Sequence, residues 1–360
     1  MVKPYNATET TQPSRKEITP LVLSTKTKAP SATNTPELAY LSTVSLSRQS
    51  DYDKTTLKQT MIKMLDEIGG ISDIVPQGAH VGIKLNLTGG TWWDTPDKPP
   101  ANEYFVSHPA VAEVLAELFI DAGAAKITMM DGLGDKFNFR NWGFEEVANR
   151  LGINLVDLCE PAPYKSFIPF PIGDDYLIYS QFLLHPVISE VDTFVSLAKL
   201  KVHATAGVTL SMKNLIGLAP ISAYRNNIEH NNRSAFHGNA AFDERLPKVI
   251  IDLNKIRPID LGIIDGIATA EGGAGPWENK IRQIKPGVLL AGKDPLALDS
   301  VGTMVMGFDP FTPGGEPPFS GGLNHLILAH EAGLGTMDLS KVRIAGEPIQ
   351  DVKVDFLPAG

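Results

Sequence analysis

Apolar and polar positions along the chain follow two periods, and each change of period marks an element. Residues 39–47, AYLSTVSLS, alternate one by one, as a strand does. In KTTLKQTMIKMLDEIGG the apolar Leu57, Met61 and Met64 recur at helical spacing until Gly69 and Gly70 stop the helix. HVGIKLNL, residues 80–87, is a second strand running into TGGTWWD. Ser107, His108 and Pro109 then open a helix that Gly123 ends before a third strand closing at Asp131. This rhythm predicts βαβ units and a parallel sheet.

The same rhythm returns further on. EVDTFVSLAKL is an apolar strand, RLPKVIIDLNKI and PIDLGIIDGI supply a helix and a strand, and PGVLLAGKDPLALDSVGTMVMGF repeats the pattern with Asp294-Pro295 at the helix start. FIPFPIGDDYLIYSQF reads as a hairpin with Gly173, Asp174 and Asp175 at its turn. The expected fold is α/β and doubly wound: a mostly parallel sheet, helices on both faces and a β-hairpin insertion.

Composition sharpens this. At 360 residues and 43% hydrophobic the chain can bury a large core, in one domain or two lobes. Residues 1–36, rich in Thr, Pro, Lys and Ser, are expected to form a flexible N-terminal tail ahead of an α/β domain over residues 37–360. No window reaches the roughly 18 to 20 apolar residues of a membrane helix. The expectation is a soluble cytoplasmic protein, periplasmic if an export signal was removed. A net charge of −9 without a Lys/Arg block argues against nucleic acid as a partner. Cys159, the only cysteine, excludes an internal disulfide and an iron–sulfur cluster held by this chain alone.

In open α/β sheets ligands bind beyond the carboxyl ends of strands. The residues following each predicted strand are Lys84 and Asn86, then Asp131 and Asp135, then KLKVHATAG, then Asp265 and Glu271, then Lys293 and Asp294. If Thr205 caps a helix reaching Gly217, the N–H groups of Ala206 to Val208 offer an anion site, with His203 before the cap and Thr209 and Lys213 one turn apart. A lysine rising from an apolar wall has a lowered pKa and suits a base or a covalent anchor. Each residue also has a plain structural use. Lys199 and Lys201 can lie along a strand end, His203 can be a core histidine, and Lys213 can pair with a buried carboxylate.

The polar stretch YRNNIEHNNRSAFHGN carries His230 and His237, whose spacing is not that of a standard zinc motif. EGGAGP lets backbone approach a ligand closely or makes a tight turn. Trp92 and Trp93 suit either a lid over the rim or packing between subunits of a homo-oligomer.

VGIKLNL, VDTFVSLAKLKVHATAGVTLSMKNLIGLAP, IIDGIATAEGGAGP and AGKDPLALDSVGTMVMG together resemble the DUF362 family of uncharacterised α/β proteins. HATAGVTLSMK is also similar to a block of the lactate-racemase-like proteins. That resemblance implies an acid/base histidine at His203, a lysine at Lys213 that anchors a nickel-pincer nucleotide, and a metal histidine at His230. Ser211-Met212 stands where that family has a glycine pair.

The leading expectation is an enzyme acting on a small anionic, carboxylate-type substrate by acid/base chemistry, as in an isomerase or epimerase. His203 would move the proton and Lys213 and Lys84 would hold the anion. Asn86, Lys201, Thr205, Thr209, Asn214 and Lys293 would surround it. A rival is a metal-dependent enzyme of hydrolytic or oxygen chemistry, using His203, His230 and His237 with one carboxylate; Asp265, Glu271 and Asp294 are the candidates to hold a divalent metal or to position the lysines. A third reading is a non-catalytic binding protein for a small ligand.

Overall fold

The computed structural model describes residues 40–238 and 240–360; the 1–36 tail expected from composition lies outside the described residues. Strand β1 (Ser42–Arg48) leads to helix α1 (Lys54–Glu67), where Asp53 caps the start by accepting the Thr56 N–H at 3.0 Å. Its buried Leu57, Met61 and Met64 fall on one stripe, as the spacing predicts. β2 (His80–Lys84), α2 (Pro109–Asp121) and β3 (Lys126–Asp131) make a βαβ unit, with His108 as cap and Pro109 in the first turn. α3 (Asn138–Asn141), α4 (Phe144–Leu151) and β4 (Asn154–Asp157) follow.

β5 (Ile168–Pro171) and β6 (Gln181–Leu184) pair antiparallel as the expected hairpin, with residues 173–175 in its connection. After α5 (Val187–Glu190) come β7 (Thr193–Lys199) and a small hairpin of β8 (Lys201–His203) and β9 (Gly207–Thr209). α6 (Arg245–Ile256), β10 (Leu261–Gly266), the pair β11 (Thr269–Glu271) and β12 (Arg282–Ile284), β13 (Val288–Gly292) and α7 (Pro295–Val305) continue the chain. It ends through α8 (His325–Glu331), β14 (Val342–Gly346) and α9 (Ile349–Val352).

An eight-stranded sheet in the order β14-β1-β13-β10-β7-β2-β3-β4 forms the frame. Helices cover both faces, and β7 shows why. Its Val195 and Leu197 pack with side chains of α1, α2 and α4, whereas Phe194 and Ala198 pack with those of α6, α7 and α8. A strand buried on both sides reads as a continuous apolar run, which is how β7 and β10 read in the sequence. Among the described residues, no helix is long and apolar enough to cross a membrane.

One strand departs from expectation. β13 runs antiparallel to both neighbours, β1 and β10, because the β11–β12 pair returns the chain without a helical crossover. Its carboxyl end therefore lies at the edge of the sheet opposite the carboxyl ends of β2, β3, β7 and β10. Lys293 and Asp294, expected at the rim, stand at that far edge.

Candidate functional site

The carboxyl ends of β2, β3 and β7 open into a cleft of about 890 Å³, with a smaller cavity of about 90 Å³ below it. His203, Lys213 and Arg233 border both, and Lys84, Asn86, Lys201, Thr209 and Asn214 line the smaller one. Thr205 lines the large cleft. The size is within the usual range for sites that hold small molecules.

The wall bearing Lys213 is not the helix expected from Thr205. β8 and β9 pair across a tight turn at residues 204–206, and only a 3₁₀ turn, Lys213–Leu218, follows. Of the N–H groups assigned to an anion, that of Ala206 donates to His203 Nδ1 at 3.2 Å, beside that of Thr205 at 3.1 Å, and that of Val208 donates to the Ala206 carbonyl at 2.9 Å. The turn needs Gly207, which has φ +76°; a side chain there would also run into the Phe319 ring. Lys213 accordingly does not sit one helical turn from Thr209.

These contacts define the chemistry of His203. Two backbone donors point at Nδ1, so the proton of the neutral ring resides on Nε2. Burial first, then Lys213, His237 and Lys201, hold its pKa well below the ordinary histidine value. His203 is thus a neutral hydrogen-bond donor toward the cleft, and the proton-moving role expected from sequence lacks a free basic nitrogen.

The lysines differ sharply. Lys84 Nζ lies 2.6 Å from Asp131 Oδ1 and donates to the Leu85 carbonyl at 2.6 Å and to Asn214 Oδ1 at 3.4 Å. The Asp131 carboxylate also accepts the Leu87 and Gly132 N–H groups, so the pair ties together the segments after β2 and β3. Gly217 packs over it where a Cβ would collide with both partners. Lys201 is buried and donates to the Phe105 and Ala274 carbonyls at 2.6 and 2.8 Å, with no ion-pair partner among the described residues. Burial, then Lys213 and Lys199, push its pKa well down. Lys213 has neither a hydrogen-bond acceptor nor an ion-pair partner among the described residues. Burial, followed by the Lys84 charge, brings its pKa down to about 7 against the opposing Glu278.

Asn214 is the hub of the floor. Its Nδ2 donates to the Lys84 carbonyl and Ser196 Oγ, which fixes Oδ1 as the acceptor for Lys84 and Asn86. Asn86 is oriented in turn, and its buried Oδ1 is left without a donor; the Thr209 hydroxyl is also unpartnered. Such orphaned atoms are costly unless something polar meets them.

Two contributors escaped the sequence reading. Arg233 donates to the Ala219, Gly132 and Gly217 carbonyls and has no carboxylate partner among the described residues. Trp277 faces Trp93 at a centroid distance of 6.1 Å and, with Trp92, forms an aromatic wall. Asp135 accepts the Thr91 N–H at 3.0 Å and so fixes the tryptophan-bearing turn. The EGGAGP loop contributes the Ala274 carbonyl that seats Lys201.

The proposed metal donors do not assemble. His230 is exposed, bonded to Ser234 Oγ at 2.8 Å and outside the cleft lining, whereas His237 lines the cleft and lies 3.2 Å from Asp243. Asp265 is buried against Lys199 at 2.8 Å and Tyr52, and Glu271 is spent on Arg282 and the Leu357 N–H. Asp294 caps α7, and Lys293 pairs with Asp73. Among the described residues no group of three His, Cys, Asp or Glu side chains is placed to hold a metal ion. With His230 outside the cleft, the residues do not fit the metal ligation of a nickel-pincer site.

An α/β sheet with a polar, cation-rich cleft at its carboxyl edge is the class of protein that fold and site define. The chain belongs to the DUF362 family, described as a domain of unknown function, whose pattern matches residues 81–304 and thus takes in the whole floor of the cleft. It is 27% identical to the thylakoid-associated protein sll1697 of Synechocystis over 277 residues, covering 75% of this chain and 76% of that one. A crystal structure of a Thermotoga maritima protein aligns over 69% of this chain and 57% of its own length, with 9% identity and a TM-score of 0.34.

Proposed function

We propose that the cleft is the reaction site of an enzyme that binds a small carboxylate-bearing compound and moves a proton next to its carboxyl group. The observation that carries this reading is the imbalance of the floor. Lys201, Lys213 and Arg233 border one cavity with no carboxylate partner among the described residues, and the Asn86 and Thr209 side chains that also line it each keep a polar oxygen unsatisfied. An anion would meet the positive charge, and a donor on the same molecule would meet Asn86.

Within this reading Lys213, with its pKa near neutrality, is the base, and the His203 Nε2–H stabilises charge developing on the carboxylate oxygen. Lys201 and Arg233 hold the anion, and Trp92, Trp93 and Trp277 cover it. Lys84 and Asn214 keep the floor in shape.

Isothermal titration calorimetry with malonate and phenylacetate, beside their neutral amides, tests binding. Exchange of the hydrogen next to the carboxyl group in deuterated water, followed by NMR, tests proton transfer. The carboxylates should bind and exchange, and Lys213→Met should slow exchange by about 10²–10⁴-fold. Equal affinity for acids and amides, or exchange indifferent to Lys213, would refute the proposal.

A further inference from the structure

The three lysine amines around the small cavity divide by what holds them. That of Lys84 has a carboxylate, a carbonyl and an amide oxygen; that of Lys201 has two carbonyls; that of Lys213 has no acceptor among the described residues while opening on both cavities. An amine used only to bind an anion gains from a nearby carboxylate that keeps it charged and aimed. One used to attack carbon needs its lone pair, and therefore needs cationic neighbours and no tether. Lys213 has the second environment: the charges of Lys84 and Arg233 oppose its protonation.

We infer that Lys213 captures carbonyl compounds: its amine condenses with an aldehyde or ketone bearing an anionic group, forming a covalent imine in the cleft. The inference rests on the anion-binding reading of the same site, since Arg233 and Lys201 seat the anionic group. The nitrogen lone pair attacks the carbonyl carbon, and the His203 Nε2–H donates a hydrogen bond to the oxygen as negative charge grows there. The two amine hydrogens pass to that oxygen, which leaves as water while the carbon–nitrogen double bond forms. The step exchanges bonds without oxidation or reduction. Protonation of the imine nitrogen gives a cation that the Glu278 carboxylate, also on the cleft wall, favours electrostatically. Such a cation withdraws electrons from the adjacent carbon, which extends the chemistry from proton transfer to carbon–carbon bond cleavage or decarboxylation of oxo acids.

The test uses the full chain, glyoxylate as probe and sodium cyanoborohydride to reduce any imine, with peptide mapping by mass spectrometry. Lys213 should be alkylated at least about tenfold faster than exposed lysines such as Lys63, because its lowered pKa leaves a larger share of free amine at neutral pH than the ordinary lysine value of about 10.4 allows. Lys213→Arg, which keeps the charge and loses the nucleophile, should still bind oxalate by calorimetry and show no preferred labelling. If wild-type protein binds oxalate but Lys213 is labelled no faster than Lys63, the imine inference fails and the anion site stands. If Lys213 is labelled rapidly yet oxalate does not bind, the amine assignment survives and the anion site is lost. Absence of both removes the two together.

Discussion

Two regions at the carboxyl edge of the sheet contain buried or half-buried lysines and hold them in opposite ways. Beyond β7 and β10, Lys199 donates to Asp265 Oδ2 at 2.8 Å, to the Asn102 carbonyl at 2.9 Å and to Tyr52 Oη at 3.2 Å. Tyr52 also stacks on His108, with ring centroids 3.5 Å apart. Donors and acceptors there are matched, and the knot joins β7, β10, the start of α1 and the loop before α2. Around the small cavity, the Lys213 amine, the Asn86 amide oxygen and the Thr209 hydroxyl have no partner among the described residues. Burial alone therefore does not separate these lysines; the partners each one has or lacks do.

The largest expected effect tests the matched side. Lys199→Met leaves Asp265 buried without its counter-charge and should lower unfolding free energy by about 3–5 kcal/mol in denaturant titrations, whereas Lys199→Met with Asp265→Leu should recover much of it. A loss within about 0.5 kcal/mol for the single variant would erase the contrast.

Lys213→Met is the converse. It strands no carboxylate, so stability should hold at neutral pH while exchange activity falls. The pH dependence sharpens this. With its folded pKa near 7, below the ordinary 10.5, Lys213 binds fewer protons in the folded than in the unfolded chain between those values. Its contribution to stability therefore rises with pH across that window and is least favourable below about 7. Thermal melts from pH 6 to 10 should show this rise in the wild type relative to Lys213→Met; parallel curves would count against a depressed pKa.

His203 should give a smaller, qualitative signal. Nitrogen NMR should find its ring neutral with the proton on Nε2 across pH 6 to 9. A ring that titrates near 6.5 would mean that Nδ1 is not held by the two N–H groups. Smallest is Asp294→Ala, which removes the α7 cap at the far edge of the sheet. It should cost about 1 kcal/mol and leave oxalate affinity unchanged.

The sequence disclosed the frame because burial on both faces leaves a plain record: apolar strands, glycine stops and capping residues. It also placed His203 and Lys213 at one rim with Lys84, Asn86, Lys201, Thr209 and Asn214, since parallel strands deliver their ends together. It misplaced Lys293 and Asp294 because an apolar run carries no direction, and β13 reads alike parallel or antiparallel. The helix expected at Thr205 failed for a local reason: Gly207 permits a left-handed residue, and the neighbouring amides turn to His203 instead of to a helix axis. Arg233 could not be singled out within its polar stretch, because its place over Gly132 and Gly217 depends on contacts about 16 and 100 residues away.

Three of the four tryptophans, Trp92, Trp93 and Trp277, border the cleft, whereas Trp142 is buried against Phe105. Most of the tryptophans that can report by ultraviolet emission thus stand around the candidate site. Quenching or a spectral shift on adding a compound becomes a label-free report of occupancy, fast enough to screen many acids and oxo compounds before any reaction is known.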